Sequence, residues 1–152
     1  MKIYTDGSCV KNPGPGTWAV VFVPGDGTTT NISGKSAADT TNNRMEMTAV
    51  LEGIKAAKRK FPGEKLEVHC DSAYVVNCFK NGWYKKWRQN GWIGSSGKPV
   101  ENKDLWESLL LVTDNVEFVK VKGHADDEYN NLCDELARQA YDTPPVNQGA
   151  SL

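Results

Sequence analysis

The alternation of apolar and polar positions along this chain changes its period near residue 43. Before that point the pattern is one of short strands. "KIYTD" (2–6) is a brief apolar–polar run, and "TWAVVFV" (17–23) is rich in β-branched and aromatic residues. "PGDG" (24–27) supplies tight-turn residues, and "TTTNISG" (28–34) returns as a third strand. These three runs predict an antiparallel meander. From Asn43 onward, Met47, Val50, Leu51, Ile54 and Ala57 recur at the i, i+3, i+4, i+7 spacing of an amphipathic helix that ends before "FPG" at 61–63.

The second half alternates between the two periods. In "KLEVHCD" (65–71), Leu66, Val68 and Cys70 alternate with polar neighbours, which predicts a strand. Helices are predicted over 72–79, over 83–91 with Gly91 as its stop signal, over 102–112 and over 131–141. "VEFVKVKG" (116–123) reads as a strand. The expected fold class is therefore α/β: a five-stranded mixed sheet, three antiparallel strands and then parallel ones, flanked by helices. Residues 1–142 read as a single domain, and 143–152, rich in polar residues with two prolines, as a disordered tail.

Composition narrows the class without deciding the function. The chain has 152 residues, 39% hydrophobic and 24% charged, as in an ordinary globular domain with one core. A net charge of −1 gives no global sign of a polyanionic partner, so any such sign must come from local patches. Apolar runs such as 19–23 and 109–112 are too short to span a bilayer. The first residues lack a basic-then-apolar signal region, and a cytoplasmic protein is expected. Cys9, Cys70, Cys78 and Cys133 are scattered with no C-x-x-C pair, which reads as four reduced thiols.

The acids change the picture. Asp6 and Asp71 each terminate a predicted strand, although Asp6 followed by Gly7 and Ser8 also reads as turn chemistry. Glu46 and Asp134 fall in the first turns of their predicted helices, beside the apolar stripe, where an acid also complements the helix dipole. Taken singly, each acid has this plain structural explanation. Four together at element ends suit a ligand site at the carboxyl ends of parallel strands. Converging carboxylates repel unless cations neutralise them, and Mg²⁺ suits oxygen ligands and phosphate substrates. Two such ions about 4 Å apart can activate a water and stabilise a leaving oxygen in phosphodiester cleavage.

Four stretches then carry a resemblance: "YTDGSC.KNPGPG" (4–16), "TTNNRMEM" (40–47), "CDSAYV" (70–75) and "VKGHADDEYNNLCDELA" (121–137). Together with the Trp-rich segment 83–92 and "KPVENKDLW" (98–106), they make the chain closely resemble cellular type 1 ribonuclease H in its compact bacterial form. The likeness runs from Lys2 to about Tyr141 and implies the ribonuclease H-like fold. It also implies two-metal-ion hydrolysis of the RNA strand of RNA/DNA hybrids, giving 5′-phosphate and 3′-hydroxyl ends, by a monomer using Mg²⁺ with Mn²⁺ as its substitute. By the resemblance, Asp6 bridges the two ions and Asp134 helps hold the one carrying the attacking water. Glu46 and Asp71 would help hold the ion at the leaving 3′ oxygen. His124 falls on the family's mobile-loop histidine, which assists proton transfer or product release, and an imidazole titrating near neutrality suits that task. His69, inside a strand, matches no family role.

The substrate residues follow in the same way. Asn12, Asn42 and Asn43 match minor-groove readers, and amides can both donate and accept as such reading requires. Thr41 with Asn12 matches a pocket for a DNA-strand phosphate. Turn and capping chemistry would also account for these residues, and Arg44 reads either as added charge or as a structural arginine at the helix start. Residues 80–98 hold Lys80, Lys85, Lys86, Arg88 and Lys98 without an acid, interleaved with Trp83, Tyr84, Trp87 and Trp92. In the family this is a basic protrusion gripping the DNA strand, with Trp83 at the substrate channel; aromatic faces beside cations suit nucleic acid. Trp87 reads equally well as a packed residue, and Trp106 as core.

The chain also departs from the pattern. Ala73 stands where many bacterial relatives carry a glutamine, which puts one minor-groove contact in doubt. The protrusion after Arg88 is sparse in charge, and Asp126, Asp127 and Glu128 make the His124 loop acidic. The chain starts on its first strand, so no separate N-terminal hybrid-binding domain is expected. The alternative reading is a non-catalytic hybrid-binding module of the same fold, against which four intact acids weigh. No protein partner is evident.

Overall fold

The computed structural model of the chain describes residues 1–121 and 128–141. Five strands form one sheet: β1 (Lys2–Cys9), β2 (Gly16–Val23), β3 (Thr30–Lys35), β4 (Leu66–Cys70) and β5 (Val116–Lys120). Their order is β3-β2-β1-β4-β5. The β1–β2 and β2–β3 pairs are antiparallel, and the β1–β4 and β4–β5 pairs are parallel. The mixed sheet expected from the change of period is thus present. Its helices are α1 (Asn42–Lys60), α2 (Ala73–Asn81), α3 (Trp83–Asn90), α4 (Lys103–Leu110) and α5 (Glu128–Tyr141). No helix among the described residues is long and apolar enough to cross a membrane.

Strand alternation sends the two faces of the sheet to different partners. Ile3, Val20, Phe22 and Val68 pack with Met47, Val50 and Ile54 of α1 and with Trp106 of α4. The opposite parity, Tyr4, Ala19 and Val21, packs against Cys133 and Ala137 of α5. Both faces of β1 and β2 are therefore covered, which explains why β2 is almost continuously apolar rather than alternating.

Three expectations about element ends need correction. The first strand does not stop at Asp6: residues 6–9 stay paired with Ala19–Gly16 of β2, so Gly7 and Ser8 are strand residues and not a turn. Turn-prone composition yields here to the hydrogen-bonded ladder. Gly7 is required for another reason, because a Cβ there would lie inside contact distance of the Met45 carbonyl and 2.7 Å from the Glu46 nitrogen. Secondly, α1 begins at Asn42, capped by Thr41 Oγ1, which accepts the Arg44 N–H at 3.2 Å. Glu46 thereby lies in the second turn. Thirdly, α5 starts at Glu128, where the Tyr129 ring packs on Tyr4 with centroids 5.3 Å apart, so Asp134 lies at mid-helix. Neither acid occupies the first turn, where the helix dipole acts. The plain explanation for both is removed.

Candidate active site

The parallel pairing of β1 with β4 ends at Thr5 opposite Cys70. Asp6 and Asp71 are the next residue of each strand and so come to the same end of the sheet. Asp6 is buried, at 7% exposure, and its backbone stays bound to β2 on the other side. Beyond Cys70, β4 gives way to Ser72, whose hydroxyl accepts the Val75 N–H and starts α2. Asp6 therefore stands within β1 and Asp71 just past β4, both immediately beyond the last pair that joins the two strands.

From α1, Glu46 comes within range of both charges. Gly7 N–H donates to its Oε1 at 3.1 Å, and the Cys70 thiol donates to Oε2 at 3.7 Å. The carboxylates of Glu46 and Asp71 and the Cys70 sulfur lie within 4.8 Å of one another. Burial, followed by the charges of Asp6 and Asp71, holds the Glu46 carboxyl well above the usual carboxylate range. The close approach of α1 to β1 that demands Gly7 is what brings Glu46 within reach.

The fourth acid comes from the other face. α5 packs across β1, β2 and β3. Cys133 is fully buried there, with Sγ 3.0 Å from the Ala19 carbonyl, and its thiol is pushed up by burial and then by Asp6, Glu46 and Asp71. Asp134 follows it in the helix, half-buried and paired with Arg138 at 3.1 Å. His124, Asp126 and Asp127 lie outside the described residues.

A groove of about 560 Å³ is lined by Asn12, Thr41, Asn42, Asn43, Glu101 and Asn102. Asn42 Oδ1 accepts the Cys9 N–H at 2.8 Å, and Asn12 Oδ1 accepts the Asn42 N–H at 3.1 Å. With both carbonyl oxygens engaged, these side chains have their NH₂ ends left to donate. On the side of Asn12, Thr41, Asn42 and Asn43, away from the Glu101 carboxylate, amide and hydroxyl donors suit acceptor atoms such as phosphate oxygens.

The family model for RNase H matches residues 1–142. The chain belongs to the ribonuclease H family. Ribonuclease H of Thermoanaerobacter sp. strain X514 is 54% identical over 141 residues, covering 91% of this chain and 88% of that one. The protein of the same name from Chlorobaculum parvum is 50% identical over 142 residues, covering 92% and 94%. Among solved structures, LC11-RNase H1 in complex with RNA/DNA hybrid superposes with a TM-score of 0.73 at 27% identity, covering 93% of this chain and 96% of that one. The RNase H domain of prototype foamy virus gives 0.75 at 27%, covering 91% and 92%.

Within this ribonuclease H, the basic segment divides into two parts. Trp83 and Lys86 line a cleft of about 510 Å³ with Asn81, Gly82 and Ser95. Lys85 is exposed beside them on α3. Arg88 instead lies over the Tyr84 ring at 5.4 Å and lines a separate recess with Trp92 and Glu107. Trp87 is resolved toward packing, since its ring lies 5.8 Å from that of the wholly buried Trp106. Arg44 is likewise structural: it makes a two-pronged ion pair with Asp104 at 3.0 and 2.8 Å and donates to Asn102 Oδ1.

Sequence reasoning had not marked Cys70, Glu101 or Asn102. Asn102 adopts a left-handed conformation, φ 62°, and its amide donates to the Tyr74 hydroxyl, which also accepts the Trp106 indole N–H. An asparagine ahead of a helix was a readable signal for that conformation. Nothing local marked its place in the groove.

Proposed function

We propose that this ribonuclease H hydrolyses the RNA strand of RNA/DNA hybrids as an endonuclease, leaving 5′-phosphate and 3′-hydroxyl ends, from one catalytic domain spanning 1–142 in a monomeric protein. One observation carries the reading: Asp6 and Asp71 follow the last parallel pair of β1 and β4, and the Glu46 carboxylate lies within 4.8 Å of that of Asp71. Glu46, held protonated by its burial and then by the charges of Asp6 and Asp71, completes with them the hard oxygen donor set that suits Mg²⁺ or Mn²⁺. Asp6, Glu46, Asp71 and Asp134 would hold two such ions. Bound there, the ions supply an activated water and charge stabilisation at the departing oxygen.

The remaining roles belong to the chain itself. Asn12, Thr41, Asn42 and Asn43 offer donors to sugar and phosphate oxygens of the hybrid, in the groove beside the start of α1. Trp83, Lys85 and Lys86 receive the DNA strand along α3, with Arg88 adding charge on a neighbouring side. His124, on the segment before α5, moves a proton or speeds product departure. The recorded hybrid complex of LC11-RNase H1, a structure of matching fold, supports this substrate class.

The decisive experiment incubates labelled RNA/DNA hybrid, RNA duplex and DNA duplex with the protein, in Mg²⁺ or in EDTA. Cleavage of RNA in the hybrid only, abolished by EDTA and by Asp71→Asn, is expected. Equal cutting of DNA duplex, or activity surviving Asp71→Asn, would overturn the reading. Hybrid binding without cleavage would establish a binding module instead.

A further inference from the structure

Cys70 ends β4 and pairs with Thr5 immediately beneath the two aspartates. Its side chain is wholly buried and free of any disulfide. The sulfur accepts the Ser72 N–H at 3.4 Å and lies 3.7 Å from Glu46 Oε2, toward which it donates. The sulfur thus receives one hydrogen bond from β4's own continuation and makes one to the carboxylate of α1. On the other oxygen of Glu46, the Gly7 amide of β1 donates at 3.1 Å. Each carboxylate oxygen is thus held from a different strand of the pair that carries Asp6 and Asp71.

We propose that Cys70 is a positioning residue for metal binding: its thiol and the Gly7 amide together fix the plane of the Glu46 carboxylate. The proposal rests on the reading of the four acids as a divalent-metal site. Glu46 projects from a helix on a side chain with three rotatable bonds, and one donor alone would leave its carboxylate free to turn about that bond. A second donor from β4 removes that freedom. A thiol is a weak donor, so Oε2, with two acceptor sites, keeps its capacity toward a cation. Groups that orient a metal ligand in this way commonly change metal affinity by about 10- to 100-fold when removed. A thiol, as a weak donor, belongs near the lower end.

The test is a calorimetric titration of Mg²⁺ into the full chain without substrate, comparing wild type with Cys70→Ala, Cys70→Ser and Glu46→Gln. Unfolding midpoints in EDTA monitor the fold. The expected result is Mg²⁺ affinity about 10-fold weaker in Cys70→Ala, restored toward wild type in Cys70→Ser, which keeps a donor. A residue that merely fills space would instead change the unfolding midpoint and leave Mg²⁺ affinity alone. Should Cys70→Ala fail to fold, Cys70→Val, apolar and without a donor, carries the same comparison. Wild-type affinity in either apolar variant overturns the proposal while leaving the metal reading standing. Absence of Mg²⁺ binding by the wild type overturns both.

Discussion

Asp6 and Asp71 each stand one residue beyond the last parallel pair of β1 and β4, Thr5 opposite Cys70. That register makes two acids 65 positions apart in the chain into neighbours at one strand end. Asp6 keeps its antiparallel pairing with Ala19 beyond the last pair that β1 makes with β4. The carboxylate is therefore held by a fixed backbone at the carboxyl end of the parallel pair, where ligand sites of such sheets gather.

The protonation of Glu46 gives the first prediction. Burial, and after it Asp6 and Asp71, raise its pKa above the ordinary carboxylate value of 4.5. The folded protein thus keeps a proton that the unfolded chain releases, and stability falls as pH rises from the ordinary value through the raised one. Glu46→Gln removes that dependence. In EDTA near neutral pH the variant should melt above the wild type, and the two should converge in acid, where both side chains are neutral. Thermal unfolding against pH checks it; a variant less stable at neutral pH would show that the buried charge carries no penalty.

Gly7 tests the approach of α1 to β1. A methyl group there meets the Met45 carbonyl and the Glu46 nitrogen, both backbone, so the helix itself must shift. Overpacking of this kind costs about 1–3 kcal/mol. Gly7→Ala should lower stability to denaturant by that amount and lower hybrid cleavage more steeply than stability, because the displaced backbone carries Glu46.

The tryptophans separate binding from folding. Trp83 is 38% exposed on the cleft with Lys86, whereas Trp106 is 0% exposed in the core. Trp83→Ala should leave the melting temperature nearly unchanged and raise KM for hybrid several-fold. Trp106→Ala should cost about 3–5 kcal/mol of stability. Steady-state kinetics alongside chemical denaturation distinguishes the two, and equal stability losses would remove the distinction.

Ala73 offers a gain rather than a loss. It is exposed at the first position of α2, two residues after Asp71, so a longer side chain meets no packing barrier. Ala73→Gln should tighten hybrid binding in Ca²⁺, where cleavage is not required for the measurement, without changing the unfolding midpoint. Unchanged affinity would show that no contact forms at this position.

How far the sequence could be read depended on whether a signal was local. The period of Met47, Val50, Leu51 and Ile54 placed α1, and alternation in 65–71 placed β4, because burial of one face repeats along a single element. The ends were less legible. "DGS" has turn composition, yet the β2 ladder keeps it extended. α5 begins three residues ahead of the expected start, because Tyr129, on the same face as Cys133 and Ala137, packs on Tyr4.

By itself the sequence determined the order and type of the elements and the family to which their motifs belong, and it singled out the four acids as candidates. Tertiary structure alone decided what each group touches. It set the Arg44 guanidinium on Asp104, 60 residues away, and made it structural. It placed Asn102 in the groove with Asn12 and Thr41, and brought the Cys70 thiol to a carboxylate carried by another element. Periodicity records which face of an element is buried, averaged over its length. A contact between elements depends on strand register and on how closely a helix can approach, and no stretch of residues carries that information alone.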